Sequence, residues 1–310
     1  MPLRTVGANG FPVSGGARPH RAASRRAKQE RPFLWFAPVI LLLLTVTLYP
    51  TALVVWISFQ KTRFYALEGF VGLANYGAVL FSPQFIQVSV NSLLYVLCSL
   101  AVVLPLGLAS ALLLQSLGRL GTALRVALLV PWTLSMAVVG AFWLWILNPS
   151  YGLLSYALDG IGIEPGLMLG DPSMALWLLV LVTAWWSFSY ATVMMAAAVQ
   201  SVPRELHEAV SIDGGGSVAR LVHVTWPHLA PTMGSTALAL SITYLTLITL
   251  IIVLTGGGPI GATSTWSFEV FRSTVQSVDI SPAAVLSVVV LLVNLVLGYL
   301  YIRWTGRVSG

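Results

Sequence analysis

The chain has 310 residues, of which 57% are apolar and only 8% charged, with a mean hydropathy of +0.87. A soluble domain carries about a quarter charged residues, so a water-solvated globule is excluded and lipid is the expected solvent. The formal charge of +6 does not mark a nucleic-acid binder, because seven of the sixteen basic residues precede the first apolar run, and the single cysteine, Cys98, excludes an intrachain disulfide or a multi-cysteine metal site.

Those seven are Arg4, Arg18, Arg21, Arg25, Arg26, Lys28 and Arg31. Residues 1–32 mix them with Gly, Pro, Ser and Ala and are expected to form a disordered basic cytoplasmic tail. An ordinary positive-inside flank accounts for its charge without lipid recognition. The apolar run after Arg25-Arg26 is too long for a signal-peptide core of about 7 to 15 residues and is read as a retained span.

Six runs, near 34–58, 86–115, 123–147, 173–199, 233–254 and 282–302, supply the roughly 20 helical residues that cross a hydrocarbon core. They are continuously apolar, without the alternation of a lipid-facing strand, which predicts helices and not a barrel. The expected fold class is therefore all-α, a polytopic membrane protein with six transmembrane helices. With the amino terminus in the cytoplasm, Arg119, Arg125, Arg204, Arg220, Arg303 and Arg307 join the first seven basic residues on that side, and only Lys61, Arg63 and Arg272 fall outside. Both termini, including a short tail over 304–310, are assigned to the cytoplasm.

The runs contain no Asp, Glu, Lys or His, and Arg only at their ends. This argues against proton relay and haem ligation within the membrane. With lysines only at 28 and 61, no glycine-rich phosphate loop exists, so the chain is expected to bind no cofactor and to draw energy from another subunit. In the fourth run, Thr183, Trp186, Ser187 and Tyr190 recur at i, i+3, i+4 and i+7 and share one helical face. Such a face can stack on a sugar ring and bond its hydroxyls, although the same residue types also mark membrane interfaces and helix–helix bonds.

Residues 201–232 form a connection far longer than a simple turn. Pro203 can start a short helix with Glu205 and Glu208 near its positive end, Asp213-Gly214-Gly215-Gly216 ends it, and Val218, Leu221, Val222 and Val224 stripe a second helix before Pro227 and Pro231. The spacing of Glu208-Ala209-Val210, Gly214 and Val224-Thr225-Trp226-Pro227 resembles the EAA motif of binding-protein-dependent ABC permeases, E-A-A-x3-G-x9-I-x-L-P, with Val210, Val224 and Trp226 as apolar departures. Phe70-Val71-Gly72-Leu73-Ala74-Asn75-Tyr76, Pro131-Trp132 with Trp143 and Tyr151-Gly152, and Leu254-Thr255-Gly256-Gly257-Gly258-Pro259 are similar to stretches of the carbohydrate branch, the maltose, glycerol-phosphate and trehalose importers.

The resemblance implies a type I ABC importer permease fold over 33–303, in a bacterial plasma (inner) membrane, with no enzymatic activity or metal of its own. It implies a second homologous permease, an ABC ATPase dimer that holds ATP and Mg, an extracytoplasmic sugar-binding (lipo)protein and a sugar substrate. The overall wording looks most like the permease of mycobacterial trehalose importers, with another sugar or a glycerol-phosphate-type solute as the alternative and a stand-alone carrier as a further one. Coupling to the ATPase would fall on Glu208, Ala209, Val210, Asp213, Gly214 and Pro227 of the 201–232 loop, where local helix capping is the alternative role of the two acids. The substrate pathway would fall on Thr183, Trp186, Ser187, Tyr190 and Tyr244.

Overall fold

The computed structural model describes residues 32–164 and 166–308, so the expected basic tail over 1–31 lies outside the described residues. A boundary between Tyr49 and Pro50 separates two units. The described part of the first holds α1 (Pro32–Leu43) and a wide π turn, Leu44–Leu48, with the side chains of 36–48 almost all exposed. The turn's closing bond runs from the Tyr49 N–H to the Leu44 carbonyl, five residues back, in the residue that precedes Pro50.

The second unit runs through α2 (Tyr49–Ser58), a hairpin of β1 (Gln60–Arg63) and β2 (Ala66–Phe70), α3 (Ala74–Leu80), α4 (Pro83–Ser116), α5 (Gly118–Leu128), α6 (Val130–Thr133), α7 (Met136–Ile146) and α8 (Leu153–Asp159). It continues with α9 (Ala175–Gln200), α10 (Arg204–Ile212), α11 (Ser217–Arg220), α12 (Trp226–Thr246), α13 (Thr249–Leu254), α14 (Trp266–Phe271) and α15 (Ile280–Val308). Among the described residues, four stretches can cross a membrane by length and composition, 36–58, 83–116, 175–200 and 280–306, and a fifth is a broken pair, 118–133 with 136–146, bent by 94°. The last helix passes its predicted end at 302 and reaches Val308.

Two predicted spans are not single helices, and a serine hydroxyl accompanies each break. In the third, Leu134 is extended and the Ser135 hydroxyl accepts from the Val138 N–H, starting α7 as a new helix. In the fifth, Leu247 is extended after α12, and the Ser267 hydroxyl donates to the Leu245 carbonyl, which the broken helix leaves without its usual partner.

The core is centred on α4 against α9. The buried stripe of α4 is small and partly polar, Asn91, Ser92, Tyr95, Ser99, Val103, Gly107 and Ala111, whereas Leu93, Leu97, Leu106 and Leu113 point outward. That reverses the pattern of a soluble helix and is the rule where lipid, not water, surrounds the bundle, because close backbone approach then drives packing. At the crossing a Cβ on Gly107 would stand 2.7 Å from the Cβ of Ala191 and 3.0 Å from its carbonyl carbon, so only glycine fits. A loop from Thr255 to Thr265 closes the far end, held to α4 by Asn91, which donates to the carbonyls of Gly261 (2.9 Å) and Ser264 (3.1 Å), and by Ser92, which accepts from the Trp266 N–H at 2.9 Å.

Helix starts are capped by local chemistry. Ser82 accepts from the Phe85 N–H at 3.1 Å with Pro83 at the first position of α4. Asp279 accepts from the Ser281 N–H (3.1 Å) and from the Thr62 hydroxyl (2.7 Å), which caps α15 and ties β1 to it. Before α9, the hydroxyl and the backbone N–H of Ser173 both bond Asp171 and hold its carboxyl below the usual carboxylate range.

Candidate functional site

The first candidate surface is the segment after α9. Helix α10 closes with two bonds, Gly215 N–H to Val210 carbonyl (2.8 Å) and Gly214 N–H to Ser211 carbonyl (3.2 Å), which together form a Schellman motif. The two glycines are required for different reasons. Gly214 has φ +75° with open space around it, so its need is backbone handedness, whereas a Cβ on Gly215 would lie 2.5 Å from the Val210 Cγ1.

Val210 faces inward and packs against the cluster of Ala198, Val199, Val202, Val224 and Leu229, which fixes α10 to the end of α9 and the start of α12. Glu208, Ala209, Asp213 and Gly214 are exposed, and among the described residues neither Glu208 nor Asp213 forms an ion pair or a hydrogen bond through its side chain. Capping therefore does not occupy them here. Beside the motif, Ile212 is 86% exposed and Val218 75% exposed, the two most exposed of the large apolar side chains described on this segment.

Pro227 is exposed at the second position of α12, separated from α10 in the chain by α11 and a second wide π turn, Leu221–Thr225. The relation repeats the one at Pro50: the Trp226 N–H reaches back to Leu221, five residues away, and gives the proline ring room. Pro227 and Pro231 thus lie within one helical course from Ser217 to Thr246 instead of ending a helix.

The second candidate is the face of α9. Its four predicted residues divide into two groups. Thr183 and Ser187 are fully buried and consumed in a hydroxyl chain: the Tyr95 and Thr183 hydroxyls are 2.8 Å apart, Ser187 donates to the Thr183 carbonyl at 2.6 Å, and the Ser187 and Tyr244 hydroxyls are 2.6 Å apart. The rings of Tyr95 and Tyr244 lie 6.0 Å apart across it. Helices α4, α9 and α12 are thereby joined at one level.

Trp186 and Tyr190 form the other group, both facing Trp132 of α6, with ring centroids 4.0 Å and 4.8 Å from it. The Trp186 indole N–H is buried without a partner, a donor whose desolvation is uncompensated within the chain. Sequence reasoning had not placed Tyr95 or Trp132 in a site. A signal existed for Tyr95, which falls on the polar, small-residue stripe of α4; Trp132 was visible only as part of a family-like stretch.

Outside the predicted spans, Glu269 of α14 is 4% exposed and paired with Arg272 at 2.8 Å and with the Gln84 side-chain amide at 3.0 Å. It locks α14 to the start of α4. Among the described residues no group of three or more His, Cys, Asp or Glu is placed to hold a metal.

Residues 103–308 match the family described as the binding-protein-dependent transport system inner membrane component. The chain is 30% identical over 273 residues to the sulfoquinovosyl glycerol transport system permease protein SmoG of Agrobacterium fabrum, covering 87% of this chain and 88% of that one. It is 31% identical over 241 residues to the trehalose/maltose transport system permease protein MalF of Thermococcus litoralis, covering 77% and 82%. In fold it is similar to a chain in the crystal structure of a bacterial alginate ABC transporter in complex with an alginate pentasaccharide-bound periplasmic protein, with a TM-score of 0.76, 20% identity, and coverage of 90% and 96%. The fold is that of an ABC importer permease.

Proposed function

The chain belongs to the family of inner membrane components of binding-protein-dependent transport systems, and we propose on that premise that it is the permease subunit of an ATP-driven importer of a carbohydrate. The observation that carries the reading is the anchored but exposed end of α10. A helix held from behind by Val210 presents Glu208, Ala209, Asp213 and the apolar pair Ile212 and Val218 to a partner. An ABC ATPase dimer, which would hold the ATP and Mg, is the partner this surface suits. Small residues at Ala209 and Gly214 permit close approach, and the two free carboxylates can meet basic groups there.

In this mechanism the two termini and the 201–232 loop face the cytoplasm, a second homologous permease completes the pathway, and an extracytoplasmic binding (lipo)protein delivers the solute. Closure of the ATP-bound ATPase pair displaces α10, and the displacement changes how α9 and α12 meet at the Ser187–Tyr244 pair. Alternating access follows from the two arrangements of that crossing.

Trp132, Trp186 and Tyr190 supply aromatic planes and a free indole donor for a sugar, while Thr183, Ser187 and Tyr244 set the shape of the wall behind them. A neutral polyol suits this wall better than a glycerol-phosphate-type anion, since no cationic side chain stands among these residues. The relative named for trehalose or maltose supports a neutral glycoside, and trehalose is the first candidate; the relative named for sulfoquinovosyl glycerol supports a glycoside as well, although that one carries an anionic sulfonate. Uptake of labelled trehalose, maltose, sulfoquinovosyl glycerol and glycerol phosphate in a deletion strain, with and without the restored gene, tests it. Gene-dependent uptake of glycerol phosphate and of none of the three glycosides refutes the carbohydrate reading.

A further inference from the structure

The turn between β1 and β2 has a geometry that its residues do not favour. Arg63 pairs with Ala66, which leaves a two-residue loop of Phe64 and Tyr65, and both have positive φ, +49° and +64°. That is the signature of a type I′ turn, for which Asn-Gly is the ordinary choice because a side chain at positive φ crowds the following carbonyl. Two bulky aromatic residues are an outlier there, and such strain persists where the residues serve something besides the turn.

Packing within the chain does not account for them. The inward side chains of β1 are Gln60 and Thr62, and β2 is exposed along its whole length. Phe64 is 73% exposed and its ring meets the Arg63 guanidinium at 5.7 Å. Tyr65 spends its hydroxyl on the Thr274 carbonyl at 2.5 Å yet keeps half its surface outward, and Phe70 is 73% exposed.

The position of the hairpin indicates what covers this surface. Its first strand begins two residues after Ser58, the end of an outward-facing apolar helix that carries Trp56 in its last turn. Its fixings, Thr62 to Asp279 and Tyr65 to Thr274, lie at the end of the bundle opposite the cluster of Val199 and Val210. A tip so placed stands where hydrocarbon gives way to headgroups, the level at which aromatic rings and stacked guanidinium groups are most stable.

We propose that the Phe64–Tyr65 tip is an interfacial anchor, seated in the lipid boundary of the leaflet opposite the 201–225 segment. Phe64 and Phe70 lie among the upper acyl carbons, and Arg63 bonds a lipid phosphate. This rests on the membrane-spanning reading but not on the identity of the solute.

The test uses the full chain in its native assembly, in vesicles of equal parts phosphatidylcholine and phosphatidylglycerol, with Cys98→Ser and a spin label on Leu67→Cys. Collisions with oxygen, which partitions into lipid, should exceed those with an aqueous nickel chelate several-fold. Phe64→Asn, which suits the turn and leaves the Tyr65 bond to Thr274 in place, should reverse that ratio while the melting temperature stays level or rises. A label exposed to nickel with the native turn, a ratio unchanged by the substitution, or shielding from both reagents, as beneath a protein partner, overturns the proposal. A drop in melting temperature also overturns it, by showing that the Phe64 ring packs within the chain.

Discussion

Trp132 lies against Trp186 with ring centroids 4.0 Å apart and planes inclined by 31°, so one aromatic residue from a short helix covers a buried ring of α9. If this stack lines the solute path, Trp132→Ala should raise the half-saturating solute concentration for uptake about tenfold, the equivalent of about 1.4 kcal/mol. Trp132→Phe should restore most of it, since an aromatic pair contributes about 0.5–1.5 kcal/mol through its faces. Uptake kinetics in both variants check the expectation, and equal kinetics in the alanine variant and the parent would remove Trp132 from the path.

At the α4–α9 crossing the expected effect is on assembly. Gly107→Ala places a methyl 2.7 Å from Ala191 and should destabilise the bundle by about 1–3 kcal/mol, seen as an earlier thermal transition in detergent. Ala191→Gly in the same chain should recover part of that loss, because one of the close atoms is then gone while the backbone contact at 3.0 Å stays.

The two glycines that close α10 should respond differently. Gly214→Asn keeps a residue tolerant of positive φ in open space and should leave uptake and solute-stimulated ATP hydrolysis close to normal. Gly215→Asn drives its Cβ into Val210 and should uncouple the two activities, with hydrolysis persisting as uptake falls. Measuring both activities on one preparation decides it; the reverse order of sensitivity would mean that handedness, not contact with Val210, governs this end.

Tyr244→Phe removes one hydroxyl from the chain that joins α9 to α12. Ser187 keeps its bond to the Thr183 carbonyl, so no donor is orphaned and the loss should be small, about 0.6 kcal/mol as for other interhelical bonds in membranes. Thermal unfolding of the variant checks this, and a loss several times larger would reveal a cooperative network running through Tyr95.

Hydropathy located the long helices because a continuous apolar run has few other uses, and the Asp213-Gly214-Gly215-Gly216 run located the end of α10 because turn chemistry is local. The breaks at Leu134 and Leu247 escaped both, since a run average does not register one serine that caps a new helix or a distant Ser267 that bonds the Leu245 carbonyl. The four-residue face of α9 was legible as a face. Its division was not, because Tyr95 and Trp132, which claim Thr183 and Trp186, come from far along the chain. The hairpin carries no Asn-Gly signal and was invisible for that reason.

From Ser217 to Thr246 the chain is one helical course with a single wide turn, bounded by Gly214–Gly216 at one end and by the extended Leu247 at the other. At 1.5 Å per residue it spans about 45 Å. In the proposed mechanism it would serve as a connecting rod with a pivot at each end: a push received beside Gly215 would travel lengthwise and arrive near Tyr244 as a change of angle.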